Sequence, residues 1–263
     1  MKPSINYDYH IHANVLHPES KADAFIERAI ELGLGKICIT DHAPFPQFKA
    51  DDRIPTGETR RYCKKVRELA DKYRERIEVS CGMEIDYYPN LIPQIEEILA
   101  EGDFDYIIGS SHLHIPGLIE RPLSEFTADE YVALCFENTL RAVKSGYFNT
   151  IAHIDMYRWI VSRPDRFMLR TEEFNLVNHE AIIREVFSEM EKRGVNLEVN
   201  THRMSSGDIS KVYPSAELMC IASEYDLSYR FGSDAHTPEH VADGFESVAE
   251  CESYKPCMKF FKI

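Results

Sequence analysis

The 263-residue chain has no long run of apolar residues, and this limits where it can work. No stretch approaches the roughly 18 consecutive apolar residues that a membrane helix needs. The first residues, MKPSINYDYH, do not form the apolar segment of a secretory signal. The seven cysteines include no CxxC pair, which indicates reduced thiols rather than a disulfide framework. We therefore expect a cytoplasmic protein that does not contact a membrane.

Basic residues are scarce relative to acidic ones. The chain has 30 lysines and arginines against 44 aspartates and glutamates, a formal net charge of −14 at pH 7. A nucleic-acid groove needs clustered lysine and arginine to neutralise phosphates, so we expect no nucleic-acid partner. The GxSxG elbow and the Walker lysine motif are also absent. These absences favour a small-molecule substrate, and the oligomeric state is unknown from the sequence.

No internal repeat or low-complexity linker divides the chain into separate domains. Short apolar runs alternate with helical patterns along its length. The predicted strands cover residues 5–12, 36–41, 77–85, 105–111, 149–154, 195–200 and 228–234. The predicted helices lie near 20–33, 57–75, 91–101, 127–146, 172–193, 214–225 and 238–249. Seven βα units predict an α/β fold whose parallel sheet closes into a TIM-like barrel, in a single domain of residues 1–263.

Histidines and carboxylates end the predicted strands. His10 and His12 are two residues apart on strand one and project to the same face, as do Asp234 and His236 after strand seven. Further candidates are His17, His42, Glu84, His112 and His153. The C-terminal ends of barrel strands form the catalytic face, so we expect these side chains to converge there. Such ligands suit Zn, Mn or Fe, and Asp8, one layer deeper, is expected to orient a ring nitrogen.

The order of these motifs resembles that of a known family. DYHIH, ITDHAPFP, GMEID, GSSHLH, AHID and GSDAH follow one another in an arrangement similar to that of the PHP (polymerase and histidinol phosphatase) metallohydrolases. TDHAP near the start and the length of 263 residues resemble the monofunctional histidinol-phosphate phosphatases within that family. The resemblance covers essentially the whole chain. It implies a distorted (β/α)7 barrel with up to three metal ions, which agrees with the seven predicted βα units.

The resemblance also implies how the donors divide among the ions. The first metal would be held by His10, His12, Glu84 and Asp234. Glu84 would bridge to a second metal, because a carboxylate can bind two cations and a neutral imidazole cannot. The other ligands of this second metal would be His112 and His153. The third metal would be held by His17, His42 and His236. The implied cofactors are therefore two or three divalent ions (Zn, Mn or Fe), and His114 is either an alternative to His112 or a substrate contact.

A metal cluster of this kind suits hydrolysis of a phosphate ester, because bound metals lower the pKa of a water and neutralise charge on phosphoryl oxygens. The expected reaction is hydrolysis of L-histidinol phosphate to L-histidinol and phosphate in histidine biosynthesis, by attack of a metal-bound hydroxide. Arginine binds phosphate through a bidentate fork, and the candidates in decreasing order are Arg158, Arg203 and Arg121. The candidate acids for the leaving alcohol are Asp41 and His202. Asp41 could equally orient His42.

Substrate identity is the least constrained part of this interpretation. The amine of a cationic substrate could be bound by Asp86, by Glu120 or by the loop of residues 43–58, which is rich in proline and aspartate. Because the fold and the metal ligands are shared within the family, another PHP phosphoesterase is the alternative function, either a phosphotyrosine-protein phosphatase or a small-molecule phosphodiesterase. A non-catalytic metal-binding module is less favoured, because the set of donors is intact.

Overall fold

The chain folds into one parallel sheet surrounded by helices. The computed structural model describes residues 5–48, 52–115, 118–163, 175–202 and 208–255. Seven strands lie side by side in chain order, and every neighbouring pair is parallel. They are β1 Tyr7–Ile11, β2 Lys36–Ile39, β3 Glu78–Asp86, β4 Tyr106–Ser110, β5 Thr150–Ile151, β6 Asn196–Asn200 and β7 Tyr229–Gly232. The α-helices in the described ranges are α1 Ala22–Glu31, α2 Thr59–Tyr73, α3 Ile92–Glu101, α4 Ala128–Ser145, α5 Tyr157–Val161, α6 Glu180–Arg193, α7 Ala216–Ala222 and α8 Phe245–Glu250.

The strands form because their residues are buried on both faces. In β3 every residue after Glu78 is buried, which is typical of a parallel strand with helices on one side and the barrel interior on the other. The covering helices have local start and stop signals. Thr127 and Glu130 form a reciprocal capping box at the start of α4, and Gly146 ends that helix with a left-handed φ of 77°.

The barrel closes between β1 and the residues that follow β7. Ile11 pairs in parallel with Ala235. The Asp234 N–H donates to the His10 carbonyl oxygen at 2.7 Å. This closure brings the first and last motifs of the chain to the same rim of the barrel, where the carboxyl ends of the strands lie.

A bulge interrupts β1. Three residue steps from Asp8 to Ile11 lie opposite two steps in β2, so β1 carries one residue more than its partner. The Asp8 carboxylate accepts the backbone N–H groups of Ser233 and Ala242, each at 3.0 Å. Its expected role as the partner of a histidine ring is therefore wrong. Asp8 instead joins β1 to the segment after β7.

The predicted α/β barrel of seven βα units is confirmed, and its differences from prediction are local. The fifth strand is only Thr150–Ile151, whereas the prediction covered residues 149–154. His153 has a φ of 22°, which is incompatible with extended backbone and ends the strand early. The helix predicted over 172–193 begins outside the described residues, and its described part contains α6. No helix in the described ranges combines the length and the apolar character needed to cross a bilayer.

The last predicted helix, over residues 238–249, is broken in two. A 3-10 turn covers Pro238–His240, and α8 follows only after an irregular segment. Within that segment Ala242 and Gly244 have φ values of 54° and 78°, which no α-helix contains. The bond from the Ala242 N–H to Asp8 helps to hold this break. A periodicity read over neighbouring residues cannot predict this break, because the partner, Asp8, lies at the opposite end of the chain.

Candidate metal centre

Eight of the nine donors expected from the sequence meet at the carboxyl ends of the strands, and all of these except His236 are buried. They are His10, His12, His42, Glu84, His112, His153, Asp234 and His236. They come from β1 and β3 and from the segments that follow β1, β2, β4, β5 and β7. These six strands bring their donors to the same rim because they are parallel and nearly in register.

Four donors, from His10, His12, Glu84 and Asp234, lie close together and form the first donor set. Nε2 of His10 and Nε2 of His12 are 3.0 Å apart. The same two atoms lie 3.6 and 3.5 Å from Oε2 of Glu84, and 3.8 and 3.2 Å from Oδ1 of Asp234. Four ligands placed tetrahedrally around one Zn²⁺ at its usual bond lengths lie about 3.3 Å from each other. These spacings are therefore those of donors arranged around one cation.

The two oxygens of Glu84 face different groups of imidazoles. Oε2 faces His10 and His12 and lies 2.7 Å from Nδ1 of His42. Oε1 lies 3.1 Å from Nε2 of His153 and 3.8 Å from Nε2 of His112. Burial raises the pKa of Glu84, but the neighbouring imidazoles outweigh it and hold this pKa well below its usual range. The side chain is an ionised carboxylate between two groups of nitrogen donors.

Several buried polar atoms of the cluster make no hydrogen bond within the described part of the chain. They are Oε2 of Glu84, Nδ1 of His42 and Nδ1 of His12. Buried polar atoms are normally paired, so Oε2 of Glu84 and Nδ1 of His42 fit ligands whose partner is a cation, whereas His12 faces the other donors through Nε2. Burial and the nearby His42 and His236 rings hold the pKa of His12 well below its usual range, so this imidazole is neutral and able to bind a metal.

The His112 ring is oriented by a buried ion pair. Its Nδ1 lies 2.7 Å from Oδ1 of Asp86, and Oδ2 of Asp86 accepts from Nη2 of Arg53 at 2.7 Å. Burial lowers the pKa of His112, but Asp86 and Glu84 outweigh it and raise the pKa to about 9. A proton on Nδ1 directs Nε2 towards Glu84, as in the carboxylate–histidine–metal arrangements of known sites. Because both oxygens of Asp86 are engaged, the expected contact between Asp86 and a substrate amine is not found.

A second carboxylate supports His10 from β6. Oε1 of Glu198 lies 2.5 Å from Nδ1 of His10. Sequence reasoning missed Glu198 because the search followed polar residues at strand ends, whereas Glu198 lies inside a strand. A glutamate between two apolar residues in NLEVN, on a strand expected to be buried on both faces, was the available signal.

Two donors have strained backbones. His153 and Asp234 have φ values of 22° and 52°, in the region that favours glycine. The Asp234 carbonyl oxygen lies 2.9 Å from Nδ1 of His236 and 2.8 Å from Nδ1 of His202. Both rings must therefore donate from Nδ1, so Nε2 of each is the nitrogen left for another partner. Strain of this kind is concentrated at functional sites.

The donors expected for a third metal are brought together only in part. His42 and His236 form a group with His12. His17 is exposed, and the groups of close donors in the described residues do not include it. Its Nδ1 accepts the Glu19 N–H at 3.1 Å. His17 nevertheless lines a cavity of about 420 Å³ together with His12 and His236, so its assignment as a ligand stays a prediction.

A cavity of about 590 Å³ opens over the donors. Its metal-facing wall includes His42, Glu84, His112, Asp234 and His236. The remaining wall is formed by Gln47, Phe48, Asp52, Arg53, His114, Ile115, Met156, Trp159 and His202. The His114 ring lies 5.7 Å from the Trp159 ring, centroid to centroid, in edge contact. His114 thus lies on the cavity wall beside Trp159, while His112 faces Glu84, and the substrate contact expected for His114 stays a prediction.

The two proposed phosphate arginines that the structure describes, Arg158 and Arg121, do not line this cavity. Arg158 donates to the carbonyl oxygens of Ser210 and Val212, and its Nε lies 2.7 Å from Oδ2 of Asp155. It borders a neighbouring cavity and fastens α5 to the segment before α7. The phosphate role expected for Arg158 is therefore not supported.

Arg121 is also used elsewhere. It bonds to the Glu125 carbonyl oxygen and to the Glu130 carboxylate, and its guanidinium lies over the Phe126 ring at 4.0 Å. These contacts lie at the start of α4, so the phosphate role expected for Arg121 is not supported. Arg203 lies outside the described residues. Among the described residues, the arginine on the cavity wall is Arg53, which sequence reasoning missed although it lies in the 43–58 loop expected to bind substrate.

Of the two candidate acids, His202 lines the cavity over the donors and Asp41 does not. The oxygens of Asp41 accept the backbone N–H groups of Asn14 and Val15 at 2.9 and 2.8 Å. Burial raises the pKa of Asp41 to about 6, but the carboxyl group holds the loop after β1 and does not line the cavity over the donors. Neither role expected for Asp41 is supported. His202 does line that cavity and stays a candidate acid.

A family comparison agrees with this geometry. The PHP domain model matches residues 8–202 of the chain. The chain belongs to the PHP domain family. The match begins in β1, which contains His10 and is followed directly by His12, and runs past the end of β6. Most of the converging PHP donors are therefore inside the matched region, and Asp234 and His236 follow it.

Curated proteins similar to this PHP chain carry one description. A "probable histidinol-phosphatase" of Deinococcus radiodurans is 26% identical over 256 residues, covering 92% of this chain and 91% of that protein. A histidinol-phosphatase of Bacillus subtilis is 22% identical, covering 92% and 98% of the two chains. Among solved structures, the histidinol phosphate phosphatase of Lactococcus lactis complexed with zinc, L-histidinol and phosphate has a TM-score of 0.73 and 19% identity, covering 98% of this chain and 94% of that one. This last likeness shows a shared fold.

Proposed function

We propose that this chain is a metal-dependent phosphomonoesterase that hydrolyses L-histidinol phosphate to L-histidinol and phosphate. The observation that carries the proposal is the arrangement around Glu84, whose two oxygens face two groups of nitrogen donors. The names of the curated relatives, and the zinc, histidinol and phosphate bound by the Lactococcus lactis enzyme, support the choice of substrate. Two or three divalent ions of Zn, Mn or Fe are the proposed cofactors.

The proposed ligands follow the observed groups. The first set is His10, His12, Glu84 and Asp234. The second set is Glu84, His112 and His153. A third set would be built on His42 and His236, with His17 or His12 completing it. When bound, the cations would supply an activated water and neutralise charge on the phosphoryl oxygens.

The protein's own residues then bind and orient the ester. Arg53 is the proposed phosphate contact, because only two of its five N–H groups are needed for its bonds to Asp86 and the Ala43 carbonyl oxygen. His202 is the proposed proton donor to the leaving alcohol. Its Nδ1 is held by the Asp234 carbonyl oxygen, and its Nε2 is the nitrogen left for proton transfer.

The wall away from the donors matches the chemistry of histidinol. Phe48, Trp159 and Met156 provide an apolar surface for a flat ring. Asp52 is the carboxylate on this wall, and we assign it to the substrate amine, in place of the exposed Glu120 and the engaged Asp86. A cationic aromatic alcohol therefore fits better than a nucleotide, whose further phosphates would meet this carboxylate.

A substrate panel tests the proposed reaction. Phosphate release is measured for histidinol phosphate, p-nitrophenyl phosphate, a phosphotyrosine peptide and a phosphodiester, after reconstitution with each metal. We expect kcat/KM for histidinol phosphate to exceed the others by about 100-fold, because a site that pairs with a substrate polar group rejects analogues that lack it. Preference for the peptide or the diester would favour the alternative PHP activities, and no phosphate release from any ester would favour a metal-binding module.

Replacing Arg53 tests the phosphate contact. Arg53→Ala is expected to lower kcat/KM for histidinol phosphate by about 10- to 100-fold, since a hydrogen bond to a charged group contributes about 1.5–3 kcal/mol. Metal content, measured in parallel, separates this loss from any effect through Asp86. The matched control is Arg158→Ala, which should lower the melting temperature but leave kcat/KM within about twofold. The assignment fails if Arg158→Ala is the more damaging change to kcat/KM.

A further inference from the structure

A buried glutamate of β6 lies directly against two of the proposed metal sets. Oε1 of Glu198 is 2.5 Å from Nδ1 of His10, and Oε2 accepts the His153 backbone N–H at 2.7 Å. Nδ2 of Asn200 donates to the same Oε2 at 3.0 Å and lies 3.2 Å from Oδ2 of Asp234. One carboxylate therefore contacts two proposed metal ligands, His10 in β1 and His153 in the loop after β5.

The contact with Glu198 determines which nitrogen of His10 carries a proton. Oε1 of Glu198 accepts from Nδ1 of His10, which makes Nδ1 the ring nitrogen that donates. Nε2 then carries the lone pair, and Nε2 is the atom that lies 3.0 Å from Nε2 of His12. The ring is thus held in the tautomer that a metal requires.

Close packing leaves the Glu198 carboxylate no alternative position. The residue is 1% exposed. A Cβ added to Gly232 in β7 would overlap Oε1 of Glu198 and would lie 2.6 Å from Cβ of His10. Glycine at this position therefore allows β7 to approach the pair. The bond to the His153 N–H also helps to hold that residue at its strained φ of 22°.

We propose that Glu198 is a positioning residue of the metal centre: it fixes the tautomer and ring orientation of His10 and the backbone of His153, and so acts on a ligand of each of two metal sets. This inference rests on the proposed metal centre but not on the identity of the substrate. A glutamine at 198 would have to keep its oxygen on the side where the His153 backbone N–H and the Asn200 side-chain amide both donate hydrogen bonds. Its NH₂ group would then face Nδ1 of His10 and favour the tautomer that blocks Nε2.

The test measures Zn²⁺ affinity in the absence of substrate. The full-length protein is freed of metal, and its Zn²⁺ dissociation constant is obtained by competition with a chromophoric chelator. We expect Glu198→Gln to raise this constant by about 10- to 100-fold, the effect typical of groups that orient metal ligands. Glu198→Asp, which keeps the charge but shortens the reach, is the second variant and should show the same direction. The melting temperature without metal is recorded for each protein.

The matched control is Asp155→Asn. Asp155 is equally buried, and its partners are Arg158 and the Ser215 N–H rather than any donor. It should lower the melting temperature without changing the Zn²⁺ dissociation constant. Wild-type affinity in a folded Glu198 variant, or an equal loss in Asp155→Asn, would overturn the positioning role. Failure of the wild-type protein to bind Zn²⁺ would instead contradict the proposed metal centre itself.

Discussion

Glu84→Gln is expected to lower kcat/KM by at least about 1000-fold and to remove at least one bound metal ion per chain. Glutamine has nearly the same shape, but its amide carries no charge and cannot hold two cations. The loss follows from the position of Glu84, whose oxygens face the His10–His12 side and the His153–His112 side separately. Metal catalysis contributes several kcal/mol, and each 1.36 kcal/mol is a factor of ten in rate.

The control for this change lies on the same strand. Glu78 begins β3, is exposed, and pairs with Lys36 at 2.7 Å. Glu78→Gln should leave metal content and kcat/KM unchanged and should alter stability by no more than about 0.5 kcal/mol, as is usual for an exposed ion pair. Metal is counted by elemental analysis of the purified proteins. A Glu84→Gln protein with full metal content and wild-type turnover would contradict the bridging role.

The barrel and most of the converging donors could be predicted because each depends on local sequence. A buried strand followed by a polar residue delivers that residue to the carboxyl rim wherever the strand lies in the sheet. Glu84 could be placed in this way from GMEID, and His10 with His12 from their spacing. The order of the strands then follows from seven βα units in succession.

The residues behind the donors could not be predicted, because their partners are distant along the chain. Asp8 lies on the expected strand, but its carboxylate binds Ser233 and Ala242 across the closure of the barrel. Arg158 follows a donor strand, yet carbonyl oxygens from the segment before α7 bind its guanidinium. In each case local spacing indicates that a polar residue is near the site but not which partner it finds there.

Removing the metals is expected to abolish turnover and to lower the melting temperature by about 5–10 °C. A ligand that binds only the folded state stabilises it by about 2.7 kcal/mol at 100 times its dissociation constant, and 1 kcal/mol shifts the melting temperature of a protein of this size by about 2–4 °C. In this chain the stabilisation has a specific origin. Without a cation, the ionised Glu84 and Asp234 share a buried space with crowded imidazole nitrogens. Within the described part of the chain, Oε2 of Glu84 makes no hydrogen bond there.

Chelator treatment followed by addition of Zn²⁺, Mn²⁺ or Fe²⁺ separates binding from catalysis. Each ion should restore the melting temperature, because nitrogen and oxygen donors accept all three, while the turnover regained should differ from one ion to another. Glu84→Gln is the internal control, since its melting temperature should respond less to added metal than that of the wild type. Full turnover and an unchanged melting temperature after chelation would mean that these donors hold no cation the protein needs, and hydrolysis would then require another source of activated water.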